Sequence, residues 1–105
     1  MNTFPNNCDA IESLIFDENL SIEAIDFHPE LDVMLIILNT KVVLHQKISS
    51  YPSLKSADIN ELLQYKIIAR GTGIHWNLLD EDLSLKGFLS DELRNVVKPK
   101  NSIAA

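Results

Sequence analysis

The chain has 105 residues, of which 46% are hydrophobic and 23% charged, so it is long enough to form one compact domain with a buried core. Its 15 acidic and 9 basic residues give a formal net charge of −6. This balance, without a cluster of lysines and arginines, argues against direct binding to nucleic acid. The longest apolar run, residues 33–38, is too short to span a membrane.

The single cysteine, Cys8, bears on the cellular compartment. It has no second thiol with which to form an internal disulfide or a zinc knuckle, and no basic neighbour that favours its thiolate. The N-terminus also lacks the positively charged start of a secretory signal. We therefore expect a cytoplasmic protein in which Cys8 is not catalytic.

The first half of the chain is expected to form a helix and three strands. Asp9 and Glu12 are spaced as a capping pair at the start of a short helix. Alternation of apolar residues predicts a strand over residues 21–27. The continuous apolar run at 33–39 predicts a central strand covered on both faces or nearly so, and 41–49 predicts a half-buried strand that completes a hairpin.

The second half begins with a serine- and proline-rich segment, 49–57, which is expected to be a loop. Asp58 and Glu61 are spaced to cap a short helix over 59–64. Residues 65–76 contain two short strand patterns separated by two glycines, which are expected to supply the turn between them.

The acidic run Asp80, Glu81 and Asp82 precedes a helical pattern with Ser84 at its N-cap position. Negative charge stabilises a helix start by about 0.3–1 kcal/mol per group, so the run has a purely structural interpretation. Trp76, the only tryptophan, is expected to be a core anchor or, as the weaker alternative, the hot spot of an interface.

The order of these elements predicts an α+β fold, with a small, mainly antiparallel meander or hairpin sheet packed with short helices in a single domain. We expect an N-terminal segment with a possible short helix over residues 1–20, the α+β domain over 21–95 and a flexible tail over 96–105. No repeated strand–helix–strand unit occurs, which argues against a doubly wound nucleotide-binding fold.

Two kinds of chemistry find little support in the motifs. The glycines of "GTGIHW" lack the third glycine and the following helix of a dinucleotide fingerprint, so a tight turn is the better interpretation. The serines of the loop at 49–57 have no nucleophile-elbow motif, and no catalytic nucleophile is predicted. No cofactor is predicted either.

A metal or acid–base site is the sharper chemical alternative. His75 lies near Asp80, Glu81 and Asp82 in the sequence, and the other two histidines can join them through the fold. Imidazole and carboxylate groups bind several divalent metals, and a carboxylate can orient a histidine for proton transfer. The spacing matches no zinc or EF-hand motif, so the signal is nonspecific.

The stretch "GTGIHWNLLDEDLSLKGFL" resembles a family of small bacterial proteins, Domain of Unknown Function 2442. Segments "IDFHPELDVMLIILNT" and "SYPSL" are similar to the same family's first strands and following loop, so the resemblance spans residues 22–89. It implies a small α+β domain. It also implies genes that often lie beside another small uncharacterised family, as in toxin–antitoxin pairs.

The resemblance transfers motif positions rather than catalytic residues. They are Gly71, Gly73, Ile74, Trp76, Asp80, Asp82 and Ser84. Many relatives have a proline where this chain has Asn77, and a glycine in the turn where it has Lys41. Neither difference removes a candidate catalytic group, and the chain shows no helix-turn-helix extension.

The leading hypothesis is a non-enzymatic, antitoxin-like interaction or regulatory module. Its candidate interaction and motif residues are Gly71, Gly73, His75, Trp76, Asp80, Glu81 and Asp82. The expected partner is a small basic protein, bound at the acidic face around Asp80 to Asp82 and at a sheet edge.

Two further hypotheses remain open. One is a small metal-dependent hydrolase or metal-binding protein that uses His75 and the acidic cluster Asp80–Asp82. The other is a homodimer, because an apolar hairpin in a short chain leaves an edge strand open to pairing.

Overall fold

The computed structural model describes residues 9–98, which form two three-stranded antiparallel sheets and four helices. This arrangement confirms the predicted α+β fold. Cys8 and the predicted tail beyond residue 98 lie outside the described residues. The strands are β1 (Ile22–His28), β2 (Val33–Leu38), β3 (Val43–Lys47), β4 (Tyr65–Ile68), β5 (Gly73–Trp76) and β6 (Glu81–Ser84), and the helices are α1 (Ala10–Asp17), α2 (Pro52–Lys55), α3 (Ile59–Leu62) and α4 (Leu85–Val97).

The first sheet has the order β1-β2-β3, so the apolar run lies at its centre as predicted. Burial alternates along β2, whose residues Met34, Ile36 and Leu38 lie in the core. The intervening side chains, which include Leu35 and Ile37, are half-buried. One face of β2 therefore lies in the core and the other is half-buried, whereas its continuous apolar sequence predicts a strand covered on both faces or nearly so.

The turn between β2 and β3 contains Lys41 at a φ of +78°, in the left-handed region that favours glycine. The Lys41 amide donates a hydrogen bond to the Leu38 carbonyl at 2.9 Å, and its ammonium pairs with Glu23 at 3.0 Å. The conformation explains why similar proteins are expected to have glycine here. In this chain Lys41 adopts the left-handed conformation, although glycine adopts it more easily.

The second sheet has the order β4-β5-β6. It confirms the two strands expected within residues 65–76 and adds β6, which the sequence did not predict. Glu81 and Asp82 precede α4 as expected, but they lie in this strand, and the first turn of α4 itself contains no acidic residue. Strand β6 forms because it pairs with β5, and a four-residue strand has little propensity signal of its own.

The predicted caps are confirmed. Asp9 accepts a hydrogen bond from the Glu12 amide at 2.9 Å, and the Glu12 carboxylate accepts the Asp9 amide in return, which makes a capping box. The same box at the start of α3 joins Asp58 and Glu61. At the start of α4, the Ser84 hydroxyl accepts the third amide of the helix at 3.0 Å.

The segment predicted as a loop, 49–57, contains the one-turn helix α2. Pro52 occupies its first position, where the missing amide costs no intrahelical hydrogen bond. Leu54 points into the core and is fully buried. The serine and proline content thus marked a helix start inside the expected loop.

The sheets and helices share one core, to which α1 contributes Ile15 and α4 contributes Leu85 and Phe88. The Tyr65 hydroxyl on β4 accepts the Ile25 amide of β1 at 3.3 Å. Helix α4 lies next to β3 and β6 and continues through Val97, two residues into the segment predicted as a tail. No helix within residues 9–98 is long and apolar enough to cross a membrane.

Candidate functional site

The predicted motif lies mainly on the β5–β6 hairpin. Trp76 pairs with Glu81, and residues 77–80 form the connecting loop. Asp80 ends this loop at a φ of +50° and is exposed. Because side chains alternate along a strand, Glu81 and Asp82 point to opposite faces of the sheet. The hairpin therefore separates the three acidic residues that are adjacent in sequence.

His75 and Asp82 form a cross-strand pair on the outer face of the second sheet. His75 Nδ1 lies 2.7 Å from Asp82 Oδ1, and the side chains are 31% and 71% exposed. Lys66 lies opposite His75 on the other neighbouring strand. A pair this exposed contributes about 0–1 kcal/mol to stability, and it lies on an open surface.

The metal alternative requires a third ligand beside this pair. Residues 9–98 contain no group of three or more histidine, cysteine, aspartate or glutamate side chains that could hold a metal ion. Glu81 points away from His75, and His45 lies on the other sheet. His28 is held by Asp26 at 3.0 Å and Glu30 at 3.5 Å. The fold therefore does not assemble the predicted ligand set.

His28 has a structural role in this arrangement. The hydrogen bond with Asp26, strengthened by the charges of Asp26 and Glu30, raises the pKa of the His28 imidazole. These contacts of His28 with Asp26 and Glu30 lie at the end of β1, where the strand leads into the short 3-10 turn Pro29–Leu31.

Trp76 is fully buried, which confirms the core interpretation. Its indole Nε1 donates to the Leu62 carbonyl at 3.0 Å. Its ring contacts the rings of Phe27 and Tyr65 at centroid distances of 6.5 and 6.3 Å. Trp76 therefore ties β5 to α3 and to β1, and its surface is not available to a partner.

Gly71 and Gly73 are also structural. Gly71 has a φ of +87°, and the two residues before it, Ala69 and Arg70, also have positive φ. The turn after β4 therefore contains three consecutive residues in the left-handed backbone region. A Cβ at Gly71 would lie 2.5 Å from the Ser21 Cβ. Gly73 belongs to β5 rather than to the turn, and a Cβ there would lie 3.1 Å from the Ile68 side chain.

A groove with a volume of about 360 Å³ runs beside β6, one of the two outer strands of the second sheet. Asp82, Leu83 and Ser84 form its wall on the strand side. The Asp82 amide donates to the Glu81 carboxylate at 2.9 Å, so it points away from β5 and towards this side. The rest of the lining is Ser50, Tyr51, Gly87, Phe88, Asp91 and Arg94.

Tyr51 shows how the acidic residues surround this groove. Its hydroxyl donates to Gln46 Oε1 at 2.6 Å, and its ring packs edge-on against Phe88. Burial, reinforced by the charges of Asp91 and Glu81, raises the pKa of Tyr51 to about 12. The groove thus has carboxylates on both the strand side and the helix side. Asp82 and Asp91 line the groove, and we call these two residues, together with Asp80 and Glu81 that precede Asp82 on the hairpin, the acidic rim.

The raised pKa predicts a loss of stability at alkaline pH. The unfolded phenol ionises near its ordinary value of 10.0, whereas Tyr51 in the folded protein ionises at about 12. The stabilisation from the neutral phenol is therefore complete below pH 10.0 and is lost as the pH rises to about 12. Denaturant titrations should show a steeper decline over this range for the wild type than for Tyr51→Phe. Parallel declines would contradict the assignment.

The sequence did not identify the helix side of the groove. Gly87, Asp91 and Arg94 lie four and three positions apart, the spacing of residues on one helix face. This pattern was the available signal, but only the packing of α4 beside β6 shows that the face borders the acidic hairpin.

A larger open groove of about 910 Å³ lies between α1 and the turn after β4. Ile15 and Phe16 line it together with the cations Arg70 and Lys86. Lys86 is held by Asp9 at 3.0 Å and Glu12 at 3.4 Å, and these interactions raise the pKa of Lys86. Because much of its charge is already neutralised within the fold, this groove is a weaker candidate than the acidic rim.

Comparison with known proteins places the chain among proteins without an assigned function. A family model described as "Protein of unknown function (DUF2442)" matches residues 22–92, nearly the span of the predicted resemblance. No curated protein matches the chain.

Two solved structures are similar to it. A crystal structure of a protein of unknown function from Rhodospirillum rubrum ATCC 11170 has a TM-score of 0.61 and 22% identity, over 69% of this chain and 87% of that one. A solution NMR structure of an uncharacterised protein from Chromobacterium violaceum has a TM-score of 0.62 and 24% identity, over 86% and 85%. At this identity the likeness establishes the fold.

Proposed function

The chain belongs to the DUF2442 family of proteins of unknown function, and we propose that it is a non-enzymatic module that binds a basic protein partner through the acidic rim. The observation that carries this proposal is the groove beside β6, which joins an outer strand to carboxylates on two walls. We propose a cytoplasmic, antitoxin-like role, in which the partner is a small protein encoded nearby. That part rests on the resemblance and on the sequence.

The charge distribution supports a basic partner. The groove lining contains two carboxylates of the acidic rim, Asp82 and Asp91, and one cation, Arg94. With a net charge of −6 over the whole chain, the protein attracts cations at long range. Charges of this kind accelerate association and select partners by sign more than they add affinity.

The shape of the site supports an extended segment as the bound element. An outer strand offers backbone groups to an added strand, which at β6 would replace the Glu81 carboxylate, a side chain of the same strand, as the partner of the Asp82 amide. Flanking side chains select among the segments that pair there. At β6, Asp82 and Ser84 border the groove on this outer side. Arginine or lysine side chains on such a segment would reach Asp82 on one wall and Asp91 on the other.

The residues near the rim also support a binding role over a catalytic one. The Ser84 hydroxyl is engaged as the helix cap, and the Tyr51 hydroxyl is bonded to Gln46. The His75–Asp82 pair lies on an open sheet surface, where water is not excluded from a reacting group.

The test is partner capture with charge-neutralised variants. The tagged protein, Asp80→Asn/Asp82→Asn and the control Asp17→Asn/Glu18→Gln are each incubated with host lysate. The control removes two negative charges from the end of α1 and the residue after it, which are exposed. We expect the wild type and the control to recover the same partner, and the acidic-rim variant to recover much less.

The captured partner is then purified and its association measured at several salt concentrations. We expect association with the acidic-rim variant to be slower by about tenfold at low salt and less sensitive to salt. Equal rates and equal salt dependence for the three proteins would remove the acidic rim from the function.

A further inference from the structure

The outer face of the first sheet has an apolar centre. Its middle strand contributes Val33, Leu35 and Ile37, and the flanking strands add Ala24 and Val43, which pair with Ile37 on either side. We call these five residues the apolar face. Val43 is 41% exposed, and the other four are half-buried by their neighbours in the sheet.

Within residues 9–98 this face lies outside the hydrophobic core. Its five residues belong neither to the buried core nor to the partly buried side chains that pack against it. A central strand that is apolar on both faces is typical of a sheet covered on both sides. A contiguous apolar surface on a soluble domain marks a contact with another molecule.

The charges that border the apolar face differ in sign between its two sides. On the β1 side, Asp26 and Glu30 hold His28 between them, so two carboxylates face one imidazole. On the β3 side the bordering residues are His45 and Lys47. A surface with two carboxylates along one edge and the Lys47 ammonium along the other is complementary to itself when it is turned over.

We propose that a second copy of this chain covers the apolar face, related by a two-fold axis parallel to the strands. Strand β1 of each protomer then lies over β3 of its partner, as a closed two-fold interface requires. The two Leu35 side chains meet at the centre. Asp26 faces the partner's His45, and the carboxylates around His28 face the partner's Lys47.

The edges of the first sheet explain why the contact is made through its face. At the β1 edge the Tyr65 hydroxyl accepts the Ile25 amide at 3.3 Å. At the β3 edge the Glu92 carboxylate accepts the His45 amide at 3.3 Å. Both edges are therefore occupied by other parts of the same chain, which obstructs pairing of strands between copies.

The size of the apolar face predicts a weak dimer. The apolar face and its charged borders together make up the outer face of the sheet, whose strands have seven, six and five residues. At about 4.8 Å between strands and about 3.4 Å per residue, this outer face covers roughly 14 by 20 Å. This footprint belongs to the small class of interfaces, below about 1,200 Å² in total, which dissociate readily. The dimer should therefore form in a concentration-dependent way.

Sedimentation velocity on the full chain, from micromolar to millimolar concentration, tests the proposal. We expect the wild-type mass to rise from monomer to dimer. Leu35→Lys should raise the dissociation constant by at least about tenfold, because two ammonium groups would meet in the interface. The matched control Leu78→Lys, at a residue 60% exposed in the β5–β6 loop, should dimerise as the wild type does.

A charge reversal keeps the test independent of folding defects at Leu35. Asp26 has a side chain 58% exposed, so Asp26→Lys leaves the core intact and should weaken the dimer several-fold. Adding His45→Glu to that variant should restore it, because the new carboxylate then faces the new ammonium group of the partner. Asp80→Asn/Asp82→Asn should dimerise normally, since both residues lie on the β5–β6 hairpin of the other sheet.

A wild type that stays monomeric at millimolar concentration would overturn the proposal. Undiminished dimerisation by Leu35→Lys, with a native spectrum, would do the same. Failure of the charge exchange to restore the dimer would overturn the orientation in which β1 lies over the partner's β3.

Discussion

Replacing Gly71 with alanine is expected to lower the free energy of unfolding by about 3 kcal/mol or more. Gly71 has a φ of +87°, where an L-residue with a Cβ is strained by roughly 1–2 kcal/mol. The added Cβ would lie 2.5 Å from the Ser21 Cβ and 3.3 Å from the Ile22 amide nitrogen. Relief requires movement of the chain that leads into β1, which adds roughly 1–3 kcal/mol.

Denaturant unfolding followed by Trp76 fluorescence measures this effect. The control is Gly87→Ala in α4, where the new Cβ meets only the Ser84 hydroxyl, at 3.2 Å. Alanine favours a helix over glycine by about 1 kcal/mol, which the tight contact offsets, so the control should stay within about 1 kcal/mol of the wild type. Equal stability of the two variants would show that the turn after β4 tolerates a side chain.

Replacing Trp76 with phenylalanine is expected to cost about 3 kcal/mol. The buried indole fills the space between β5, α3 and β1, and a smaller ring leaves a cavity there. The change also removes the N–H that donates to the Leu62 carbonyl at 3.0 Å. A buried carbonyl left without a partner costs about 1–3 kcal/mol.

Because the substitution removes the fluorophore, unfolding of Trp76→Phe is followed by far-ultraviolet circular dichroism. Phe16→Leu is the aromatic control, since Phe16 is 83% exposed and its loss should change stability by less than about 0.5 kcal/mol. A loss for Trp76→Phe no larger than that of the control would mean that the indole does not anchor the core.

Together, these two variants separate stability from function within one motif. Gly71 and Trp76 act inside the fold, whereas the acidic residues that follow them are on the surface. A motif that is contiguous in sequence therefore divides into a structural half and an exposed half. Partner binding should depend on the exposed half alone.

Local interactions made several elements predictable. Both capping boxes and the Ser84 cap join residues three positions apart, so they are visible in the sequence as spacing and residue type. The central position of β2 was predictable because a continuous apolar run is typical of a strand that lies between two others. Trp76 was expected in the core because burial of its large aromatic side chain removes a large apolar area from water.

Non-local contacts explain what the sequence did not give. Strand β6 exists because Glu81 to Ser84 pair with β5, so an acidic run that resembled a helix start became an outer strand. The same pairing turned Glu81 and Asp82 to opposite faces and left His75 with Asp82 alone. The expected metal ligands failed to converge for this geometric reason.

By itself, the sequence determined the α+β class, the helix starts, the burial of Trp76 and the family, because these depend on composition, short-range spacing and a contiguous motif. The tertiary structure decided which surfaces are available. It brought Asp91 of α4 beside the acidic hairpin, occupied both edges of the first sheet, and left Leu35 and its neighbours outside the core. These outcomes depend on how distant segments pack, which no local pattern in the chain encodes.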